Sequence, residues 1–173
     1  MRLFSAVLPS QEAVAEVART ARDLRDLPGA ERLRWRERSG WHVTLAFYGE
    51  RGPAALPELY GRLAGVARER EPFTLRLAGG GTFGDRTLWV GVAGQTVALA
   101  GLASAAGPGV GEHDLYRPHL TLGSGRTRLD PFTEALSGFA GTEWAVGRLV
   151  LMRSEGGPGG RYVEQASWGL GVR

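Results

Sequence analysis

Two stretches of this 173-residue chain decide the fold: Trp41-His42-Val43-Thr44-Leu45-Ala46 and Pro118-His119-Leu120-Thr121-Leu122-Gly123. Each contains His-x-Thr-Leu, and the two histidines lie 77 residues apart. Because successive side chains of a β-strand point to opposite faces, each strand would present its His and Thr on one face and its aliphatic residues on the other. We therefore expect two strands that each have one polar face and one core face.

The elements predicted around these strands also repeat. After a first strand at 2–8, the patterns predict α-β-α-β-β twice. The first unit comprises a helix at 11–26 that begins at Ser10, a strand at 41–48, a helix at 53–70, and strands at 73–77 and 87–92 joined by a turn at 79–81. The second comprises a helix at 95–106, a strand at 117–122, a helix at 130–136, and strands at 144–152 and 162–170. The repetition predicts two similar lobes that interleave in one domain over 1–173, with both polar pairs lining one cleft.

Paired imidazoles and hydroxyls suit chemistry at a phosphate. Two histidines can act as general acid and general base, and two threonine hydroxyls can donate hydrogen bonds to phosphate oxygens. A single His-x-Thr strand is usually structural, but two copies at matching repeat positions favour a site. A metal is the alternative, and it would require a third ligand, for which His113 is a candidate. We expect no metal and no cofactor.

The composition excludes several other chemistries. The chain has no cysteine, and all 21 of its basic side chains are arginine. Disulfides, cysteine nucleophiles, lysine Schiff bases and phosphate loops that end in Gly-Lys are therefore absent. The net charge of +3 permits a polyanionic partner, although a generic basic surface explains it equally well.

Neither a membrane span nor a signal peptide is predicted. Residues 1–9 are apolar over only a few positions and are better explained as the first strand, and no stretch approaches the roughly 18 apolar residues that a span requires. The expectation is a cytoplasmic protein.

The paired motifs resemble those of the two-histidine (2H) phosphoesterase superfamily, and within it the bacterial and archaeal RNA 2′,3′-cyclic phosphodiesterases, long called 2′-5′ RNA ligases. The resemblance covers nearly the whole chain. Its specific parts are residues 41–50 and 117–123, and residues 1–9, 88–92 and 151–159 support it. It implies an α+β, bilobal fold in which two pseudo-symmetric lobes carry antiparallel sheets that face a central cleft, with the helices outside.

The resemblance also implies the reaction. An RNA 2′,3′-cyclic phosphate would be opened to a 2′-phosphate without a metal, with His119 as general base and His42 as general acid. Thr44 and Thr121 would hold the non-bridging oxygens. Some members also join RNA ends through a 2′-5′ linkage when a 5′-hydroxyl replaces water. The implied partner is RNA with a cyclic end, tRNA fragments among the candidates, and the expected state is a monomer.

One position departs from the family pattern. Many members carry an arginine where this chain has Ser124, so Arg126 or Ser124 itself would contact the phosphate. Aromatic side chains near the motifs are candidates for contacts with the nucleotide, namely Phe47, Tyr116 and Tyr162, although each also suits the core. Arginines 34, 36 and 38 flank Trp35 in a segment, 31–38, expected to be an edge strand or an ordered loop. They would form either a rim for RNA phosphates or a solvated face.

Two alternatives stay open at this point. The cleft could bind RNA ends without catalysis, although binding alone would be served by arginine. The substrate could instead be a small cyclic phosphate, such as an ADP-ribose cyclic phosphate or a cyclic nucleotide.

Overall fold

Nine strands and four α-helices make up the part of the chain that the computed structural model describes, residues 1–107, 115–157 and 160–172. The strands are β1 (Arg2–Val7), β2 (Leu33–Trp35), β3 (Val43–Glu50), β4 (Phe73–Phe83), β5 (Thr87–Gly94), β6 (His119–Gly125), β7 (Trp144–Val146), β8 (Arg148–Glu155) and β9 (Arg161–Gly169). The helices are α1 (Gln11–Leu24), α2 (Leu56–Arg68), α3 (Thr96–Ala106) and α4 (Asp130–Leu136).

The strands form two antiparallel sheets. One has the order β3-β1-β8-β9 and the other β2-β6-β5-β4-β7. Each repeat contributes strands to both sheets. The first repeat places β3 in the sheet that contains β1 and the β4–β5 hairpin in the other sheet. The second repeat places the β8–β9 hairpin in the sheet that contains β1 and β6 in the other sheet. The predicted α+β, interleaved architecture is confirmed.

The helices cover the sheets, and the motif strands lie where the sheets meet. Helix α2 packs on β8 and β9, α3 packs on β3, and α4 packs on β4 and β5 and contacts α1. Strand β3 contacts β6, although the two strands belong to different sheets. The N-terminal cap of α1 is as predicted, since the hydroxyl of Ser10 accepts a 3.1 Å hydrogen bond from the amide of Ala13.

Alternation along β3 and β6 separates core from cleft as expected. Val43, Leu45, Leu120 and Leu122 are buried and belong to the main hydrophobic core, whereas Thr44 and Thr121 are half-buried. Burying a side chain of this size stabilises the fold by about 1.5–3 kcal/mol. The aliphatic face of each motif therefore anchors its strand while the polar face stays available.

Both motif strands carry a β-bulge at the same place. In the pairing of β1 with β3, Leu45 has no partner of its own, and in the pairing of β5 with β6, Leu122 has none. Each is the leucine of its His-x-Thr-Leu motif. Because a bulge inserts one residue, it shifts the alternation of every side chain that follows it.

The turn predicted at 79–81 is wrong, because these glycines lie inside β4. The strand runs on to Phe83, with an irregular register between Leu77 and Gly80, and the chain reverses in the short segment before β5. A Cβ on Gly80 would lie 2.9 Å from the carbonyl oxygen of Trp89, and one on Gly81 would overlap the Trp89 ring. Gly80 and Gly81 therefore serve close packing, whereas Gly79 has a φ of +64° and open space at its Cβ position.

The single strand predicted at 144–152 is also wrong. Gly147 separates β7, which pairs with β4, from β8, which pairs with β1 and β9. The chain crosses from one sheet to the other at this glycine. For the segment 31–38, the edge-strand alternative is the correct one, since β2 pairs with β6 at the edge of its sheet.

Candidate active site

A cleft of about 740 Å³ lies at the junction of the two sheets. Six of the predicted catalytic, phosphate-binding and nucleotide-contacting residues line it: His42, Thr44, Phe47, His119, Thr121 and Tyr162. Both His-Thr pairs therefore face one space, although their strands belong to different sheets. A volume of this size falls within the usual range for small-molecule sites.

The two imidazoles are held in the same way. The Nδ1 atom of His42 lies 2.8 Å from the carbonyl oxygen of Gly40, and that of His119 lies 2.7 Å from the carbonyl oxygen of Arg117. A carbonyl can only accept a hydrogen bond, so Nδ1 carries the proton in each ring. The Nε2 atom of each ring is then the one that can exchange a proton with a ligand.

His42 forms a cluster with two aromatic rings, which also contact each other. Its centroid is 4.8 Å from that of Phe4 and 5.1 Å from that of Tyr162. Its Nε2 atom lies 3.0 Å from Oγ1 of Thr44, so the threonine hydroxyl donates to the neutral ring. The aromatic contacts orient the ring while the Gly40 and Thr44 contacts hold its two nitrogens.

These surroundings favour the neutral form of His42. Burial lowers the pKa of the imidazole, and the charges of His119 and Arg36 lower it further, while the hydrogen bond to Gly40 acts in the opposite direction. In the free protein His42 therefore gives up its proton at a lower pH than an exposed histidine does.

His119 has a matching aromatic environment on the other side of the cleft. The centroid of Phe83 lies 4.6 Å from that of His119 in an edge-on arrangement, and the centroid of Trp89 lies 6.0 Å away. Trp89 is the cross-strand partner of Thr121, and directly opposed residues share a face of the sheet. Phe4, Phe83 and Trp89 were not predicted from the sequence, since only the strand register shows that they lie beside the histidines.

Three predicted site residues do not line the cleft. Tyr116 is half-buried, and its hydroxyl donates a 2.6 Å hydrogen bond to the carbonyl oxygen of Thr44. Ser124 lies on β6, where it pairs with Thr87 of β5 on one side and with Arg34 of β2 on the other. Arg126 is exposed just beyond the end of β6. Of the three arginines around Trp35, only Arg36 lines the cleft.

His113, the third ligand in the metal alternative, lies outside the described residues. Within 1–107, 115–157 and 160–172, no three His, Asp or Glu side chains come together as a group that could hold a metal ion. In the same part of the chain, no helix has both the length and the apolar character needed to span a membrane.

Comparison with known proteins agrees with the architecture. Residues 7–93 match the family described as LigT like Phosphoesterase. A Thermus thermophilus protein named RNA 2′,3′-cyclic phosphodiesterase is 30% identical over 174 residues, covering 92% of this chain and 85% of that protein. A Geobacillus stearothermophilus protein of the same name is 44% identical over 62 residues, which are 34% of this chain and only 20% of that protein.

Solved structures show the same fold. Protein TT0787 of Thermus thermophilus superposes with a TM-score of 0.78 at 26% identity, covering 99% of this chain and 98% of that one. E. coli LigT in its apo form gives a TM-score of 0.78 at 24% identity, covering 98% and 96%. The chain belongs to the LigT-like phosphoesterase family of the 2H superfamily, as its paired motifs indicated.

Proposed function

We propose that this phosphoesterase opens 2′,3′-cyclic phosphates at RNA ends, leaving a 2′-phosphate and a free 3′-hydroxyl. The observation that carries the proposal is the convergence of two His-Thr pairs on one cleft, with Nδ1 of each imidazole held by a main-chain carbonyl and Nε2 left as the atom that exchanges protons. In the free protein the Thr44 hydroxyl donates to Nε2 of His42, and in the proposed complex it turns to the phosphate instead. Two relatives are named RNA 2′,3′-cyclic phosphodiesterase, and E. coli LigT has been crystallised with 3′-AMP. Both support a nucleotide end as the substrate.

His119 and His42 divide the proton transfers in this mechanism. Nε2 of neutral His119 accepts a proton from water while the water oxygen forms a bond to phosphorus. The bond between phosphorus and the 3′ oxygen breaks, its electron pair stays on that oxygen, and protonated His42 gives it the proton from Nε2. The hydroxyls of Thr44 and Thr121 donate to the non-bridging oxygens and stabilise the charge that develops there.

The environment of His42 fits an acid that is charged only when substrate is present. Burial and nearby positive charge lower the pKa of the free imidazole. A phosphate anion in the cleft acts in the opposite sense, because a neighbouring negative charge favours imidazolium. The negative charge of the bound substrate thus raises the pKa of His42, so that its imidazole is protonated and can act as the proton donor.

The same site also accounts for 2′-5′ RNA ligase activity. If the 5′-hydroxyl of a second RNA takes the place of water, His119 removes its proton and the product is a 2′-5′ phosphodiester with a free 3′-hydroxyl. No further catalytic group is needed. We propose that the chain acts as a monomeric single domain, and tRNA fragments stay a predicted substrate.

The decisive experiment uses RNA that ends in a 2′,3′-cyclic phosphate, incubated with the protein in the presence of a chelator. We expect a 2′-phosphate product from the wild-type protein and almost none from His42→Ala or His119→Ala, since losing an acid or base costs about 10²- to 10⁴-fold. His113→Ala, which removes the histidine outside the motifs, is the matched control and should retain full turnover. Thermal melts establish that the variants fold.

The remaining alternatives are outcomes of the same experiment. Persistent turnover in either motif variant contradicts the mechanism. Tight binding of the cyclic end without product indicates a binding module. Equal rates on a cyclic mononucleotide and an oligonucleotide, or activity on an ADP-ribose cyclic phosphate alone, indicate a small cyclic phosphate as substrate.

A further inference from the structure

Two arginines that the mechanism above does not use line the cleft, the exposed Arg2 and the half-buried Arg36. Arg36 is half-buried and lines the same space as His42, Thr44, His119 and Thr121. Among the described residues, no carboxylate forms an ion pair with its guanidinium. A partly buried arginine in a cleft without such a partner retains its capacity to bind an anion.

The backbone holds Arg36 beside the second motif. Arg36 directly follows β2, and its amide donates a 2.8 Å hydrogen bond to the carbonyl oxygen of Leu122, the bulged leucine that follows Thr121. Arg36 is thus the residue that extends the pairing of β2 with β6. The edge strand β2 thus leads Arg36 to the cleft beside the second motif.

The electrostatics of the free protein indicate a place for an anion. The charges of His119 and of Arg36 both lower the pKa of His42. These repulsions disfavour a second positive charge in the free protein. A phosphate between the three groups would attract each of them and so offset these repulsions.

We propose that Arg36 binds the reacting phosphate, donating hydrogen bonds from its guanidinium to the non-bridging oxygens alongside Thr44 and Thr121. The inference rests on the proposed function for the identity of the phosphate. The planar guanidinium offers two parallel N–H donors, which match a pair of phosphate oxygens. Arg36 thereby takes the role that the sequence predicted for Arg126 or Ser124.

The test is a titration with inorganic phosphate, followed through the ring signals of His42 and His119 by NMR. Arg36→Gln should weaken phosphate binding about 10- to 100-fold, since a hydrogen bond to a charged group has that effect. Arg36→Lys should recover part of the loss, because it restores the charge without the paired donors. The pKa of His42 should rise in Arg36→Gln, because a nearby positive charge has been removed.

Two further variants make the result specific. Arg22→Gln, on the exposed last turn of α1, removes the same net charge far from the cleft and should bind phosphate like wild type. Arg126→Gln tests the rival residue. The proposal is overturned if Arg36→Gln binds phosphate normally, if Arg126→Gln causes the loss instead, if all three variants weaken binding equally, or if the wild-type protein shows no phosphate response.

The titration involves no turnover, so it separates the two proposals. Phosphate binding that depends on Arg36, together with no hydrolysis of cyclic-ended RNA, would preserve the anion site and contradict the proposed function. Hydrolysis that is unaffected by Arg36→Gln would preserve the function and contradict the role of Arg36.

Discussion

The hydroxyl of Tyr116 donates a 2.6 Å hydrogen bond to the main-chain carbonyl of Thr44, so a residue that leads into the second motif holds the strand of the first. The next residue, Arg117, provides the carbonyl that fixes His119. Burial raises the pKa of the Tyr116 hydroxyl, which therefore remains a donor. One dipeptide thus connects the two motif strands, and we predict that Tyr116 positions the first of them.

Tyr116→Phe should lower kcat about 10- to 100-fold, because small displacements of catalytic groups have effects of that size. Tyr48→Phe is the matched control. Tyr48 is also buried, and its hydroxyl bonds to Ser5 and to the carbonyl of Ala106, two residues that do not line the cleft. Both variants should lose about 1–3 kcal/mol of stability, yet only Tyr116→Phe should lower kcat. Equal kinetics in the two variants at a temperature where both are folded would contradict the positioning role.

A substrate with sulfur in place of the bridging 3′ oxygen should separate the roles of the histidines. A thiolate leaves without protonation, so His42→Ala should recover most of its activity on this cyclic phosphorothiolate. His119→Ala should stay inactive, because the water still needs a base. Recovery in His119→Ala rather than His42→Ala would reverse the assignment. The comparison is made from single-turnover rates on the two substrates.

The pKa of His42 should lie below its ordinary value of about 6.5, and bound phosphate should raise it. The groups that face this imidazole from the packed elements are Phe4, Tyr162, Thr44, the carbonyl of Gly40, His119 and Arg36. Ring-proton NMR titrations with and without inorganic phosphate measure the shift directly. If phosphate lowers the pKa of His42, the hypothesis that bound substrate favours the protonated imidazole is contradicted.

The same shift makes stability depend on pH. As the pH falls below about 6.5, the unfolded chain binds a proton at His42 before the folded chain does. The stability that neutral His42 contributes is therefore complete above about 6.5 and is lost as the pH falls toward the folded-state pKa. Urea unfolding between about pH 7 and pH 5 should show a smaller decline for His42→Gln than for wild type. If the free energy of unfolding falls equally with pH in both proteins, groups other than His42 determine the pH dependence of stability.

Phe47 is predicted to bind the terminal base. Its side chain is 72% exposed, lines the cleft, and lies 6.0 Å from Phe4 between ring centroids. Stacking of a base on an aromatic ring contributes about 1–3 kcal/mol, so Phe47→Ala should raise KM for cyclic-ended RNA about 5- to 150-fold. Ribose 2′,3′-cyclic phosphate, which has no base, should show no such change.

The control for Phe47 is Val97→Ala, since Val97 is 87% exposed on α3 and does not line the cleft. Neither substitution should change the free energy of unfolding by more than about 0.5 kcal/mol. An equal rise of KM on the substrate without a base would assign Phe47 to the shape of the cleft instead of to base stacking.

Gly80→Ala should destabilise the protein by about 1–3 kcal/mol, the usual cost of overpacking a dense interior. The added Cβ would lie 2.8 Å from Cβ of Leu136 and 2.9 Å from the carbonyl oxygen of Trp89, so α4 or β5 would have to shift. Gly61→Ala, in α2 and open to solvent, should instead stabilise by about 0.5–1 kcal/mol. Urea denaturation measures both, and a neutral Gly80→Ala would show that β4 can move away from its neighbours.

Local patterns predicted much of the site because they depend on neighbours in the chain. Alternation places His and Thr of each motif opposite to their aliphatic neighbours whatever the rest of the molecule does. The buried Val43 and Leu120 and the cleft-lining Thr44 and Thr121 agree with it. The cap at Ser10 was predictable for the same reason, since a hydroxyl reaches an amide three residues away within one turn.

Alternation failed where distant strands interrupt it. The bulge at Leu45 arises from pairing with β1, about forty residues earlier in the chain, and it turns Phe47 rather than Ala46 toward the cleft. The glycines at 79–81 resemble a turn in sequence because nothing in their local sequence shows the Leu136 side chain that packs on Gly80 or the Trp89 ring that packs on Gly81. In both cases the missing information was the identity of the neighbour across the sheet.

The sequence by itself determined that this chain has two His-Thr strands in a repeated α+β framework and that no cysteine or lysine takes part in its chemistry. The tertiary structure alone decided that β3 and β6, from different sheets, meet at one cleft, with aromatic rings beside both histidines and Arg36 lining the space that the motifs share. The physical reason is the range of the forces: side-chain alternation follows from covalent geometry, whereas the pairing, bulges and packing that build the site depend on contacts that exist only after the chain has folded.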